Sequence, residues 1–313
     1  MAGEGQMPTQ TELPSTTQQR QHAMLKTALQ PLIPYLEHPE VTEIMLNPDG
    51  KVWIHSVGQG MQCTSTLLNT TTAERIIRLI ATSAGMEITP QQPWLAAKLP
   101  YWGARVQASI PPYSVDGPTF NLRLPARKIY TLNDYIGQES LSVEQAEQLQ
   151  QAIQDKQNII VAGGTGSGKT TLVNALLNEI TDPNERIILI EDNLELQCNV
   201  PNRVRKLIQP PELTLSKAIF DSLREYPSRI IVGEVRDNSA YDLISVWNTG
   251  HPGNICTVHA SSAEDALHRI NRLAQQAQPG FDFMPEIERM VGCVVFVTGN
   301  ATQRGITIMS QMT

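Results

Sequence analysis

Residues 158–180 read NIIVAGGTGSGKTTLVNALLNEI. Residues 158–162 form a short, mostly apolar run of strand length. In 171–180 the residues Leu172, Val173, Leu176, Leu177 and Ile180 recur at helical spacing. Between them, Gly163, Gly164, Thr165, Gly166, Ser167, Gly168, Lys169 and Thr170 fit G-x-x-x-x-G-K-[ST], the phosphate-binding loop. Glycines let the backbone turn its N–H groups inward and form a nest for an anion. Lys169 supplies a positive charge to the β and γ phosphates, and Thr170 supplies a hydroxyl for Mg²⁺. Strand, loop and helix is the order such a loop requires. The stretch predicts a nucleotide-binding α/β domain that takes ATP and Mg²⁺ on residues 163–171, Thr171 included.

Three further apolar runs follow this one. Residues 187–190 end in Glu191-Asp192, residues 230–233 in Glu234, and residues 255–258 in His259. Helical stretches separate the runs, which favours a mostly parallel sheet covered on both faces. In open α/β sheets ligands bind outside the carboxyl ends of the strands. The loop and these three groups are therefore expected on one edge. Hydrolysis of a nucleotide needs a cation against the β and γ oxygens and a group that orients the attacking water. Glu234 and Glu191 are the candidates for the water, and His259 is a candidate donor to the γ-phosphate. His251, in the turn at 248–253, reads either as a plain turn residue or as a further contributor. The basic cluster Arg203, Arg205 and Lys206 reads as solvated surface.

Ahead of this domain the chain changes character. Residues 1–20 are rich in Gln, Thr, Gly and Ser and read as a disordered tail. Next comes a helix broken near Pro31 and Pro34. Runs at 41–46 and 51–55 flank Asn47-Pro48-Asp49-Gly50, a hairpin signal. A helix is expected at 72–84 and strands at 105–110 and 120–124, so residues 21–128 form a small α+β domain. Residues 129–140 read as a linker. A capping box at Ser142 and Gln145 then opens the second domain, 141–313.

Net charge is −7, from 24 basic and 31 acidic residues, so direct nucleic-acid binding is not expected. Cys63, Cys198, Cys256 and Cys293 are far apart and lack C-x-x-C spacing, which argues against a zinc site or a disulfide framework. No apolar run approaches the roughly 18 residues that span a bilayer, and no signal-peptide pattern opens the chain. A cytoplasmic location is expected, with any membrane association peripheral.

The strand ends also carry a resemblance. Arg229-Ile-Ile-Val-Gly-Glu-Val-Arg236, Val246-Trp-Asn-Thr-Gly-His-Pro-Gly253 and Thr257-Val-His-Ala260 resemble the traffic ATPases of type II and type IV secretion, most nearly the TrbB-type branch for conjugal transfer. The four boxes of that family stand in order: a Walker A loop at 163–171, an aspartate box at 187–196, a Walker B box at 229–236 and a histidine box at 248–260. Val41-Thr-Glu-Ile-Met-Leu-Asn-Pro-Asp-Gly50 and Tyr130-Thr-Leu-Asn-Asp-Tyr135 are similar to the family's amino-terminal portion. The resemblance spans about residues 25 to 300 and implies a RecA-like second domain. It also implies a homohexameric ring with nucleotide between the two domains of each subunit. ATP hydrolysis would then drive conjugative substrate transfer or pilus assembly at the inner membrane, with inner-membrane secretion components as partners. Arg105 and Arg123 match the amino-domain arginines that reach the phosphates.

One position departs from the general pattern of phosphate-loop enzymes. Gly233 stands where many of them place a Mg²⁺-holding Asp. Thr170, phosphates and water would remain around the ion, with Asp192 able to help through water. Three other readings stay open: a pilus or type II secretion motor, a DNA-translocating motor, and a nucleotide-gated scaffold. The missing paired-cysteine module disfavours assembly motors of the second branch. The acidic charge disfavours DNA translocation.

Overall fold

The computed structural model describes residues 16–57, 59–125, 129–299 and 304–310. They fall into two compact units that divide between Pro125 and Ala126.

The first unit opens with helix α1 (Thr16–Ala28), a 3₁₀ turn at Gln30–Leu32 and the short helix α2 (Ile33–Leu36). The break falls at the prolines, as expected. Helix α1 starts inside the stretch expected to be a disordered tail, because Leu25 and Leu29 are fully buried and anchor it to the core. Residues 1–15, the rest of that expected tail, lie outside the described residues.

Strands β1 (Val41–Leu46), β2 (Lys51–Ser56) and β3 (Gly60–Leu67) precede helix α3 (Thr70–Ser83). Asn69 caps α3 by accepting from the Thr72 amide at 2.8 Å. Strands β4 (Trp94–Lys98), β5 (Arg105–Ser109) and β6 (Thr119–Arg123) complete an antiparallel sheet of order β3-β2-β1-β6-β5-β4. Gly50 has φ +80°, the left-handed turn that the Asn-Pro-Asp-Gly signal calls for. One face of the sheet buries Ile44, Leu46, Val52, Val106 and Leu122 with Ile76, Ile77 and Ile80 of α3. The other face carries a polar row in cross-strand register: His55, Glu43, Arg123, Arg105 and Lys98.

The second unit contains α4 (Leu132–Gly137), α5 (Val143–Gln154), β7 (Asn158–Gly163), α6 (Lys169–Asn178), β8 (Ile187–Glu191) and β9 (Arg203–Leu207). It continues with α7 (Leu215–Ser222), β10 (Arg229–Val232), α8 (Ala240–Asn248), β11 (Ile255–Val258), α9 (Ala263–Ala274), α10 (Met284–Met290), β12 (Val291–Gly299) and β13 (Arg304–Ser310). Its sheet order is β13-β12-β7-β11-β10-β8-β9. Every neighbouring pair is parallel except β12 with β13. This is the mostly parallel α/β sheet that the alternating pattern predicts. Within residues 129–140 the chain forms α4, closed by a capping box between Thr131 and Asp134, with Leu132 and Tyr135 buried. Among the described residues no helix is long and apolar enough to cross a membrane.

Buried polar groups pin the amino ends of these strands. Asn254 accepts from the Ile230 amide at 2.7 Å and donates its own amide to Asn158 at 3.1 Å. Arg229, 2% exposed, is held by Glu185 through Nε at 2.5 Å and donates to the Ile153 carbonyl at 2.8 Å. These bonds fix the registers at one edge, and so the heights at which the strands end on the other.

Candidate nucleotide site

Strand β7 is buried along its whole length and delivers the glycine loop at its carboxyl end. Gly163 adopts φ +154°, and a Cβ there would lie 2.5 Å from the Val297 carbonyl oxygen and 2.6 Å from Ser167 Oγ. The loop can therefore take no side chain at its base. Gly168, at φ +99°, begins α6 with no side-chain cap, and a helix amino end favours an anion. Ser167 is buried, and its Oγ has no hydrogen-bond partner. Nothing would crowd a Cβ at Gly164 or Gly166, so the backbone there is open to close approach. Lys169 is 8% exposed and donates from Nζ to the carbonyls of Gly163 at 3.1 Å and Gly164 at 2.9 Å. A buried ammonium, an uncapped helix start and an orphan hydroxyl in a glycine cradle fit a polyphosphate. Thr170 and Thr171 follow in the first turn of α6.

Sheet order sets β11, β10 and β8 beside β7 in turn, so their carboxyl ends line up with the loop. His259 follows β11 and Glu234 follows β10. His259 Nε2 lies 3.2 Å from Glu234 Oε1, and Lys169 Nζ lies 3.3 Å from His259 Nδ1. A neutral ring with its proton on Nε2 satisfies both bonds, accepting from the lysine and donating to the carboxylate. Burial lowers the pKa of His259, the Lys169 charge lowers it further, and Glu234 opposes both. The neutral form is thus the one this setting favours.

Glu191 ends β8 on the same edge but faces a different set of partners. It is 3% exposed, and its Oε1 accepts from the amides of Glu195 at 2.7 Å and Leu196 at 2.6 Å. Arg205 Nη2 lies 3.5 Å from its other oxygen. Burial raises its pKa, while these amides and Arg205 pull it back. Glu191 thus shapes the loop that follows β8. A Cβ at Gly233 would lie 3.4 Å from Glu191 Cγ, close to ordinary contact distance. Among the described residues no three His, Cys, Asp or Glu gather in a metal-holding cluster. A cation here would rest on Thr170 together with phosphate and water.

Sequence reasoning gave Arg236 no role. Its Nη2 lies 2.8 Å from Glu234 Oε2 and 2.9 Å from Asp192 Oδ2. Its place at the end of the box at 229–236, two residues after Glu234, was the available signal. His251 lies on the opposite edge from the loop, where its carbonyl accepts from Asn254. The basic cluster read as solvated surface lies on the edge strand β9, where Arg203 and Arg205 are exposed as expected. There Arg203 bonds the Val200 carbonyl, Arg205 meets Glu191 and Lys206 meets Glu225 at 2.7 Å. Arg105 and Arg123 belong to the first unit, on neighbouring strands in register. Arg123 Nε lies 3.4 Å from Glu43 Oε1, and Asn121 donates to Glu43 Oε2 at 2.8 Å.

The profile of the family described as type II/IV secretion system proteins matches residues 26–298. The conjugal transfer protein TrbB of Rhizobium radiobacter is 37% identical over 268 residues, which cover 83% of this chain and 82% of that protein. The type IV secretion system protein PtlH of Bordetella pertussis is 33% identical over 310 residues, covering 88% of this chain and 90% of that one. The X-ray structure of the Yersinia pseudotuberculosis ATPase DotB superposes with a TM-score of 0.65 at 19% identity, covering 98% of this chain and 84% of that one. That last likeness is one of fold alone. Profile and relatives together make this chain a member of the type II/IV secretion system protein family.

Proposed function

We propose that the protein hydrolyses ATP to power conjugative type IV secretion, acting as a homohexamer on the cytoplasmic side of the inner membrane beside the membrane components of the system. The observation that carries the hydrolytic reading is the line Lys169–His259–Glu234 across adjacent strand ends. Lys169 would leave the loop carbonyls for the β and γ oxygens. The first amides of α6 would bind the same phosphates. Mg²⁺ on Thr170 would supply further neutralisation of their charge. Glu234 would hold the attacking water and take its proton as the new bond to Pγ forms and the bond to the β–γ bridging oxygen breaks. ADP and phosphate are the products. His259, neutral and beside Lys169, would sense the γ-phosphate. Arg105 and Arg123 would bring charge from the first unit, so that closure of the two domains tracks the phosphate.

The conjugative assignment is supported by the relatives named for conjugal transfer and type IV secretion. The net charge of −7 fits a motor that does not itself grip nucleic acid.

The test of the hydrolytic reading is Glu234→Gln. The variant should bind an ATP analogue normally and turn over slower by about 10²–10⁴-fold, the range for loss of a general base. Wild-type turnover would remove Glu234 from the reaction. Light scattering should give a hexamer with ATP analogue, and a strict monomer would defeat the ring. Strong stimulation of the ATPase by DNA would favour a DNA-translocating motor instead.

A further inference from the structure

Glu234 is bonded at both carboxylate oxygens, by partners whose other attachments differ in kind. Oε1 meets His259, and His259 in turn meets Lys169. Phosphate would claim Lys169, so the partner on this side changes when nucleotide arrives. Oε2 meets Arg236, whose second partner is Asp192 in the loop after β8. That partner has no bond to the phosphate loop among those described. One oxygen is therefore held by a group that the reaction disturbs, and the other by a group that it leaves alone.

We propose that Arg236 is a positioning residue that anchors Glu234 through Oε2, so that Oε1 faces the attacking water once His259 turns to the phosphate. The inference rests on the reading of Glu234 given above. Arg236 is itself more than half exposed, with a side-chain accessibility of 57%. An ion pair so open to water contributes little to folding. What it contributes is orientation, and a carboxylate displaced by about 1 Å can cost about 10²-fold in rate. A single nitrogen, Nη2, serves both acids, so the planar fork of the guanidinium is not what the site uses. A lysine, as a point charge, should keep much of the effect.

The experiment is steady-state ATPase kinetics on the full chain carrying Arg236→Ala, Arg236→Lys and, in parallel, Glu234→Gln. Arg236→Ala should lower kcat by about 10–10²-fold and leave KM and ATP-analogue affinity within about twofold, the pattern of an interaction made in the transition state. Arg236→Lys should recover most of that loss, and the melting temperature should hold in both. If the alanine variant does not fold, Arg236→Gln takes its place. Wild-type or raised kcat in Arg236→Ala overturns the proposal. So does a loss of analogue affinity as large as the loss of kcat, or a lysine variant no better than alanine. Slow Glu234→Gln with normal Arg236→Ala sinks this inference alone, whereas normal Glu234→Gln sinks the hydrolytic reading beneath it.

Discussion

The two sheets keep their polar chemistry in different places. In the second unit β7, β8, β10 and β11 are buried at every position, on both faces. A parallel sheet covered on both sides has no room for a reactive group along its strands. Lys169, Glu191, Glu234 and His259 accordingly sit at strand ends or just beyond them. In the first unit β5 and β6 alternate between buried and more exposed positions, and the polar row runs across the strands. Placement depends on loops in one sheet and on register in the other. A one-residue slip of β6 would turn Arg123 into the core, since successive side chains face opposite sides. Arg105 opposite Arg123 places like charges side by side, which destabilises a sheet unless an anion answers them. Glu43 answers Arg123, through an ion pair at 3.4 Å.

The sharpest way to break this contrast is to silence each sheet in turn. Lys169→Ala should abolish nucleotide binding or hydrolysis, read as analogue affinity and phosphate release. Retention of both would mean that the strand ends are not the site. Arg105→Ala and Arg123→Ala should keep analogue binding and lose turnover, toward the 10³-fold or so that an arginine reaching the transition-state phosphate is worth. Normal turnover in both would leave the first sheet with a structural row and confine the chemistry to the second.

A third change compares charges within the strands themselves. Arg229 is 2% exposed and its Nη1 lacks a hydrogen-bond partner, while a Cβ at Gly253 would press on that same atom at 2.9 Å. Arg229→Ala should destabilise by about 3 kcal/mol, the low end for a broken buried pair, because Glu185 would lose its buried partner and keep only Lys156 at 3.4 Å. Arg123→Ala, on a partly solvated pair, should cost about 0–1 kcal/mol. Denaturant unfolding measures both, and equal losses would erase the distinction between the buried sheet and the open face.

The same contrast governs what could be read before the fold was known. Buried strands announce themselves as apolar runs, so β7, β8, β10 and β11 were legible, and so was the glycine loop that follows β7. Strand β3 alternates between half-buried and exposed positions and has no apolar run to show. Strand β9 reads RVRKL, and its charges masked an edge strand whose side chains meet acids from elsewhere in the fold. Helix α4 was hidden because its capping box uses Asp134 in place of Glu or Gln. The convergence of four strand ends was legible, but the different surroundings of its two glutamates were not. Glu191 and Glu234 look alike in sequence, and only the loop amides after β8 and the Arg236–Asp192 bond tell them apart.

The smallest expected effect belongs to His259, and it again separates strand ends from sheet face. Burial and the Lys169 charge hold its pKa below the ordinary value of 6.5, with Arg236 and Arg269 adding to them and Glu234 opposing. The folded state therefore binds fewer protons than the unfolded chain in the window beneath that value. Stability from this group is fully present above about pH 6.5 and falls as pH drops through the lowered pKa. His259 is 42% accessible at its side chain, so solvent screens the effect and the slope should be shallow. Urea unfolding at about pH 7.5 and about pH 5.5 should show wild type losing more stability than His259→Gln, which has no proton to gain there. If the two lose equally, His259 carries none of the acid sensitivity, and the imidazole is not held neutral by Lys169.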